Sequence, residues 1–178
     1  MPHVFDSAPT SRAKCRGCET KIEKGEPRFG ERQPNAFGDG EMTLWFHPLC
    51  AAYTRPAAVL QALAAQRVED AAALKSTAEF GISHRRLPRL RGAERASSGR
   101  ARCRSCREPI AKDSWRLRLV FVDDFPFQPA GSIHAGCAKE YFETAEVGDR
   151  IRHFSSKPNA AELAAIEAEV LAASVPRQ

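Results

Sequence analysis

The sequence lacks any uninterrupted apolar run of about 18 residues, the length that a membrane-spanning helix requires. Its amino terminus, MPHVFDSAPTSR, also lacks the apolar segment of a secretory signal peptide. Hydrophobic residues make up 43% of the chain, but many of them are alanines, which add little buried area each. We therefore expect neither a membrane span nor secretion. At 178 residues the chain has room for one medium-sized domain or two small ones.

Acidic residues are nearly missing from residues 81–107, where nine arginines accompany Glu94 alone. Residues 1–80 carry ten basic and ten acidic side chains, and residues 108–178 carry eight basic and eleven acidic ones. The net charge of +5 is therefore concentrated in one local patch, which favours a polyanionic partner. A solvated flexible linker over residues 84–96 is the alternative interpretation.

No cysteine is left over from two matching sets of residues. Each set has a Cys-x2-Cys pair, a gap of 28 or 27 residues, and a His-x2-Cys pair, which indicates an internal repeat. The two sets are Cys15, Cys18, His47 and Cys50, and then Cys103, Cys106, His134 and Cys137. Three thiolates and one imidazole fill a tetrahedral structural zinc site and leave no position open for a catalytic water. The sequence therefore predicts two zinc ions per chain, with disulfides or redox thiols as the alternatives.

The segments between the ligand pairs have the patterning of half-buried strands. In SWRLRLVFV the apolar residues 115, 117, 119 and 121 alternate with Arg116 and Arg118, which is a period of two. In the first copy, EPRFGERQ and MTLWFHPL are the expected strands, joined by the turn-forming FGDG. The expected fold class is α+β: two small zinc-stabilised modules, each a short antiparallel sheet plus a helix, with additional linker and C-terminal helices.

Two helices are expected outside the ligand-bearing segments. After Cys50, Pro56 suits a first helical turn, and a helical stripe follows it. The stripe consists of Leu60, Leu63, Val68, Ala71 and Leu74.

Near the end of the chain, Asn159 and Glu162 have the spacing of a capping box. The apolar face of that helix is Leu163, Ile166 and Val170, and Pro176 is expected to end it. Both helices are expected to pack on their own modules or on each other, with docking to a partner protein as the alternative.

The segments SRAKCRGCETKIEKGEPRF and SGRARCRSCREPIAKDSWRL, followed after a long gap by WFHPLC or SIHAGC, resemble the zinc fingers of poly(ADP-ribose) polymerase. Such fingers also occur in some DNA ligases and end-processing phosphatases. The resemblance implies two tandem fingers without a catalytic domain. The implied divisions are a first finger over residues 8–55, a helical linker and basic segment over 56–96, a second finger over 97–145, and a C-terminal helical segment over 146–178.

The resemblance implies binding to DNA ends, nicks or junctions without reading of sequence. In such fingers, a basic residue three before the first cysteine and another ten after the second cysteine contact phosphates. The matching residues are Arg12 and Arg28 in the first copy, and Arg100 and Arg116 in the second. Both copies carry further cations beside the first cysteine, namely Lys14, Arg16, Arg102 and Arg104. Guanidinium groups suit bidentate phosphate contacts, and such contacts weaken as salt rises.

The resemblance also implies a loop before the histidine whose apolar side chains cover the base pair that a break exposes. Stacking on an aromatic side chain is worth about 1–3 kcal/mol per base, which is enough to favour an end over an uninterrupted duplex. The candidates are Phe37, Met42, Phe125 and Phe127. Closing the core of each module is the alternative role for the phenylalanines, and it is the expected role for Trp45 and Phe46.

The leading hypothesis is a zinc-dependent DNA-binding protein that recognises breaks and is not an enzyme, since no catalytic constellation is evident. A repair protein is a possible partner through the terminal helices, and the expected location is the nucleoid of a bacterium or the nucleus of a eukaryote. One alternative is a protein-interaction adaptor in which zinc only stabilises small domains. Another is a binder of single-stranded nucleic acid, because stacking and cations also serve that function.

Overall fold

The computed structural model describes residues 2–35, 38–123 and 126–172. The chain divides into two compact units, Met1–Ser83 and His84–Gln178, and each is described by itself. Each unit contains one three-stranded antiparallel sheet with helices, as the α+β prediction requires. Among the described helices, none combines the length and the apolar character that a membrane crossing demands.

The sheet of the first unit has the order β1-β2-β3. The strands are β1 (Val4–Ser7), β2 (Pro27–Pro34) and β3 (Glu41–Phe46). Three helices follow them, α1 (Pro48–Thr54), α2 (Pro56–Ala65) and α3 (Ala71–Ser83). Phe29 and Phe46, which are register partners on β2 and β3, are fully buried and form the centre of the core. Burying each ring stabilises the unit by about 1.5–3 kcal/mol.

The second unit repeats this sheet and adds a different set of helices. Its strands are β4 (Leu90–Arg95), β5 (Trp115–Phe121) and β6 (Gln128–His134), in the order β4-β5-β6. Short 3-10 helices lie at Leu87–Arg89 and Ala135–Cys137, and the α-helices are α4 (Ala138–Phe142), α5 (Gly148–Phe154) and α6 (Ala160–Ala172). The predicted alternation on β5 is present, because Leu117 and Leu119 are buried. Phe121, at the end of the strand, is 42% exposed.

The divisions expected from the sequence do not coincide with the two units of the structure. Strand β1 precedes residue 8, and β4 lies within the segment expected to be a linker. Each pairs with the next strand of its own sheet. The helices α2 and α3 pack against each other and α1, and α5 and α6 pack within the second unit. Residues 56–96 and 146–172 are therefore parts of the two units, because they complete a sheet or cover a core.

The helical predictions had mixed outcomes. The stripe after Cys50 is confirmed only in part: residues 66–70 separate two helices, Val59 and Ala62 are fully buried while Leu60 and Leu63 are half-buried, and Leu74 is buried as predicted. Within the break, Asp70 adopts a left-handed backbone with φ 56°, which a continuous helix does not permit.

The C-terminal helix follows the prediction more closely. The Glu162 N–H donates to Asn159 Oδ1, and the Asn159 N–H donates to Glu162 Oε2, each at 3.0 Å, so the capping box is present. The hydrogen bond from the Asn159 N–H and the neighbouring Arg95 lower the pKa of the Glu162 carboxyl. Ile166 and Val170 are buried, and the helix packs on its own unit. Pro176 lies outside the described residues.

The first unit contains a buried ion pair that the second unit replaces with apolar residues. Arg55 Nε lies 2.8 Å from Glu31 Oε2, and both side chains are about nine-tenths buried, with exposed fractions of 9% and 11%. Counted from the matching cysteines, the equivalent positions in the second unit are Phe142 and Leu119, which are 1% and 2% exposed. The same place in the fold therefore accepts either an ion pair or two apolar side chains.

We expect the substitution Arg55→Met to lower the free energy of unfolding of the first unit by about 3–5 kcal/mol, because it leaves the Glu31 carboxylate buried without its cation. The double variant Glu31→Leu/Arg55→Phe, which copies the second unit, should recover most of that loss. Urea unfolding of the zinc-loaded chain, followed by circular dichroism, measures both values. A double variant no more stable than the single one would show that the two positions are not interchangeable between units.

Candidate metal centres and their cationic rim

Each Cys-x2-Cys pair lies in a tight turn that the local backbone stabilises. The N–H of Glu19 donates to the carbonyl of Cys15 at 2.8 Å. The N–H of Arg107 donates to the carbonyl of Cys103 at 3.1 Å. Glu19 and Arg107 adopt left-handed backbone conformations, with φ of 65° and 68°. The two turns are therefore equivalent, and each presents two sulfurs on one side.

The third strand of each sheet brings the histidine to this turn. Strand β3 ends immediately before His47, and β6 ends on His134. The N–H of His47 donates to Cys15 Sγ at 3.2 Å, and the N–H of His134 donates to Cys103 Sγ at 3.4 Å. Backbone N–H groups stabilise thiolate charge, so the strand end positions one ligand and supports another.

The predicted ligands come together as two groups of four. Within each group, the donor atoms lie within 4.8 Å of one another. The Nδ1 atom of His47 is 3.4 Å from Cys18 Sγ, and that of His134 is 3.4 Å from Cys106 Sγ. A tetrahedral zinc ion with Zn–S bonds of about 2.3 Å places neighbouring ligand atoms about 3.5–3.8 Å apart. Each group can therefore hold one zinc ion through three sulfurs and one Nδ1.

The outer nitrogen of each histidine faces an acceptor, which helps to orient the ring. His134 Nε2 lies 3.2 Å from the carbonyl of Pro109, and His47 Nε2 lies 3.8 Å from a carboxylate oxygen of Glu26. A proton on Nε2 leaves the Nδ1 lone pair directed at the sulfurs. The Pro109 carbonyl is within hydrogen-bond distance of its histidine, whereas the Glu26 carboxylate is near His47 but beyond that distance.

The thiols of each site influence one another's ionisation. In the first site, hydrogen bonding with Cys15 and then Cys50 lowers the pKa of Cys18. In the second site, burial acts to raise the pKa of Cys103, but N–H groups led by that of His134 bring it to about 7. Burial, together with the charge on Cys103, raises the pKa of Cys137 to about 12. Zinc binding therefore has to displace protons held unequally by the thiols.

The first site is more enclosed than the second. Cys15 and Cys50 are both buried, whereas Cys106 of the second site is exposed. A Cβ atom on Gly17 would lie 2.5 Å from Cys50 Cβ, so the first turn needs glycine to approach the helix. The corresponding residue of the second turn is Ser105, which fits a looser approach.

Six of the predicted phosphate-binding residues are exposed around the two turns. They are Arg12, Lys14, Arg16, Arg100, Arg102 and Arg104. Two of them have backbone neighbours: Arg102 Nη1 donates to the carbonyl of Arg107 at 3.1 Å, and Arg104 lies against Gly131. A Cβ atom on Gly131, which has φ 95°, would lie 2.8 Å from Arg104 Nε. These cations are thus exposed, and they flank the Cys-x2-Cys turn of each metal centre along the chain.

The other two predicted phosphate contacts are paired with carboxylates. Arg28 donates through Nε and Nη2 to Asp6 at 2.7 and 3.2 Å, and its guanidinium carbon lies 3.4 Å from the ring centroid of Trp45. Arg116 donates through the same two nitrogens to one oxygen of Glu94 at 3.1 and 2.6 Å. The side chains of the two arginines are only 10% and 19% exposed. Their contact with phosphate stays a prediction.

These two carboxylates were not among the residues predicted from the sequence. Asp6 and Glu94 each lie nine residues before the first cysteine of their set, and each is the register partner of its arginine. The equal spacing could have revealed them. It would also have shown that the repeat extends back to β1 and β4.

Two of the four predicted stacking residues lie among the described residues. Met42 is half-buried on β3, opposite Gln33. Phe127 is half-buried just before β6, with the guanidinium carbon of Arg91 4.9 Å from its ring centroid. Phe37 and Phe125 lie outside the described residues. Of the two expected core residues, Phe46 is fully buried and Trp45 is half-buried.

The folds and the ligand groups define a protein with two α+β modules, each built around a Cys3His group that can hold zinc. Residues 6–80 match the family model described as the poly(ADP-ribose) polymerase and DNA-ligase zinc-finger region. This match contains the whole first ligand group. The second group, with the same order of ligands on the same kind of sheet, suggests a second copy.

Two curated relatives are similar to more of the chain. Poly [ADP-ribose] polymerase of Sarcophaga peregrina is 32% identical over 142 residues, which cover 69% of this chain and 14% of that protein. Poly [ADP-ribose] polymerase of Drosophila melanogaster is 31% identical over 139 residues, with the same two shares. An alignment over 69% of the chain cannot fit within the first unit alone, so it reaches the second. The chain spans about a seventh of the length of either relative.

Proposed function

We propose that the protein binds DNA at breaks, ends or single-strand/double-strand junctions, that zinc maintains the binding modules, and that base sequence is not read. The observation that carries this proposal is the match of residues 6–80 to the zinc-finger region, together with a second Cys3His group of the same layout. We propose that the second unit, which includes residues 97–145, is a finger of the same type.

Phosphate contacts are proposed for the exposed cations at the rim of each metal centre. Arg12 and Arg100 occupy equivalent places three residues before the first cysteine, and both are exposed. Zinc fixes the turn that follows, so these guanidinium groups start from a rigid backbone, and less ordering is required when phosphate binds. Arg28 and Arg116 would contribute through whatever part of each guanidinium remains accessible beside its carboxylate.

Base stacking is proposed for the apolar side chains before each histidine, which are Met42 and Phe127 among the described residues. A continuous duplex hides the faces of its bases, whereas a break exposes one. An apolar side chain placed against that face adds affinity that an unbroken duplex cannot supply. Selectivity for breaks would thus come from stacking, and general affinity would come from phosphates.

We further propose that these two units serve binding and not catalysis, because four protein ligands leave a zinc ion without an open position for water. The action would be that of a sensor, a protector of ends or a recruiter of a repair protein, in the nucleoid or nucleus where DNA lies. Two units on one chain would raise the effective affinity for a site that both can reach.

We expect the double variant Arg12→Ala/Arg100→Ala to bind nicked DNA more weakly and with a shallower salt dependence, while it keeps both zinc ions. Each lost phosphate contact should reduce the slope of log affinity against log salt by about 0.9. Fluorescence anisotropy across a salt series measures this slope, and Lys75→Ala on α3 is the control because that lysine is 62% exposed and far along the chain from the turns. Unchanged DNA binding in the double variant would contradict the assignment.

The same assay on the unaltered chain tests the function itself. A dumbbell duplex with one nick is compared with the sealed dumbbell of the same sequence and with a single strand. Tighter binding to the nicked probe supports recognition of breaks. Equal binding to both dumbbells indicates a general nucleic-acid binder. Preference for the single strand indicates a binder of single-stranded nucleic acid, and no binding to any probe favours the protein-interaction adaptor.

A further inference from the structure

A buried arginine of the second unit contacts one of the proposed stacking residues. Arg91 lies on β4 and is only 8% exposed. Its guanidinium carbon is 4.9 Å from the ring centroid of Phe127 and 5.0 Å from that of Phe154. Phe127 immediately precedes β6, and Phe154 ends α5. One cation therefore contacts both a candidate stacking side chain, Phe127, and helix α5.

The backbone around Arg91 is locked to α5. The register of β4 against β5 shifts at this point, and Gly92 adopts φ 85°, as in a β-bulge. A Cβ atom on Gly92 would lie 2.5 Å from the carbonyl oxygen of Phe154, and the N–H of Ala93 donates to Ser155 Oγ at 2.8 Å. The main chain immediately after Arg91 is thus held by the end of α5 and by Ser155, so the side chain extends from a fixed backbone.

The choice of a charged residue here has a physical consequence. An aliphatic side chain could fill the space between two rings without the desolvation of a charge. A guanidinium instead attracts the faces of aromatic rings, and this attraction is stronger when the cation is shielded from water. Arg91 therefore favours an orientation of the Phe127 ring with one face toward the guanidinium, which apolar contact alone would not specify.

We propose that Arg91 is a positioning residue for Phe127, and that it makes the preference for broken DNA depend on α5. This inference rests on the proposed function. Arg91 itself need not contact DNA, since it is buried; it acts through the position of Phe127. The C-terminal helices would then be part of the recognition machinery as well as of the core.

The test is a double-mutant cycle on the full zinc-loaded chain, with Arg91→Met, Phe127→Leu and the combination. The measured quantity is the ratio of affinities for the nicked and the sealed dumbbell. We expect Arg91→Met to lower this ratio about tenfold, consistent with loss of a shielded cation–π contact, and Arg91→Lys to retain part of it. In the Phe127→Leu background, Arg91→Met should cause no further loss, because the residue through which it acts is gone.

The matched control is Arg89→Met, since Arg89 lies two residues away and faces a different ring, Phe121, at 6.0 Å. It should leave the ratio unchanged. An unchanged ratio in Arg91→Met overturns the proposal, and so does an equal loss in both backgrounds, which a general loss of stability would produce. If Arg91→Met does not fold, Phe154→Leu makes the same test by removing the second ring. Equal binding of the unaltered chain to both probes overturns the proposed function first, and this inference with it.

Discussion

Replacing Cys50 with serine is expected to remove one zinc ion per chain and to unfold the first unit, while the second unit keeps its ion and its fold. Structural zinc contributes about 10–16 kcal/mol of apparent binding free energy, which equals or exceeds the whole stability of a small domain. Cys50 is buried at the start of α1, and its sulfur belongs to the four-atom group that joins this helix to the turn at Cys15. Without the metal, the turn and the helix lose their connection.

Zinc stoichiometry by mass spectrometry and amide chemical-shift dispersion by NMR measure this result. The expected stoichiometry falls from two to one. Cys137→Ser should instead remove the zinc ion of the second unit and unfold that unit. The control is Ser76→Ala, an exposed residue on α3, which should change neither measurement. A Cys50→Ser chain that retains two zinc ions and a folded first unit would show that these four residues are not the ligands.

A fragment of residues 97–145, which are the second finger as the sequence alone delimits it, is expected not to fold cooperatively even with zinc. It lacks β4 with the fully buried Leu90, and it lacks Ile151 of α5 and Ile166 of α6, which are fully buried as well. Each such side chain contributes about 1.5–3 kcal/mol when buried, so their combined loss approaches the stability of a small domain.

The matched fragment is residues 84–172, which contains all the described elements of the second unit. It should show a single thermal unfolding transition by circular dichroism and dispersed amide resonances, whereas the shorter fragment should show neither. If residues 97–145 fold and bind zinc as tightly as 84–172, then β4 and the C-terminal helices are additions to a self-sufficient module.

Some features of this fold could be predicted from the sequence, and others could not. The alternation on β5 and the capping box at Asn159 were accessible because each depends on neighbours within a few residues along the chain. The ligands were accessible because the same spacing of cysteines and histidine occurs twice. Strands β1 and β4 were missed because four to six residues such as VFDS carry little alternation. Their strand character depends on pairing with β2 and β5. The buried face of α2 was also missed, since Val59 and Ala62 are no more hydrophobic than Leu60 and Leu63 and only packing separates them.

The number and chemical type of the metal ligands could be predicted from the amino-acid sequence alone, because Cys3His is one of the usual four-ligand sets of a structural zinc site and its spacing occurs twice along the chain. The partners of the arginines were decided by the tertiary structure. Arg28 meets Asp6, 22 residues away, only when the register of β1 against β2 is set. Likewise, Arg91 lies between Phe127 and Phe154 only when α5 packs on β4. A charged side chain can pair with any of several groups, and only packing and strand register determine which of them it meets.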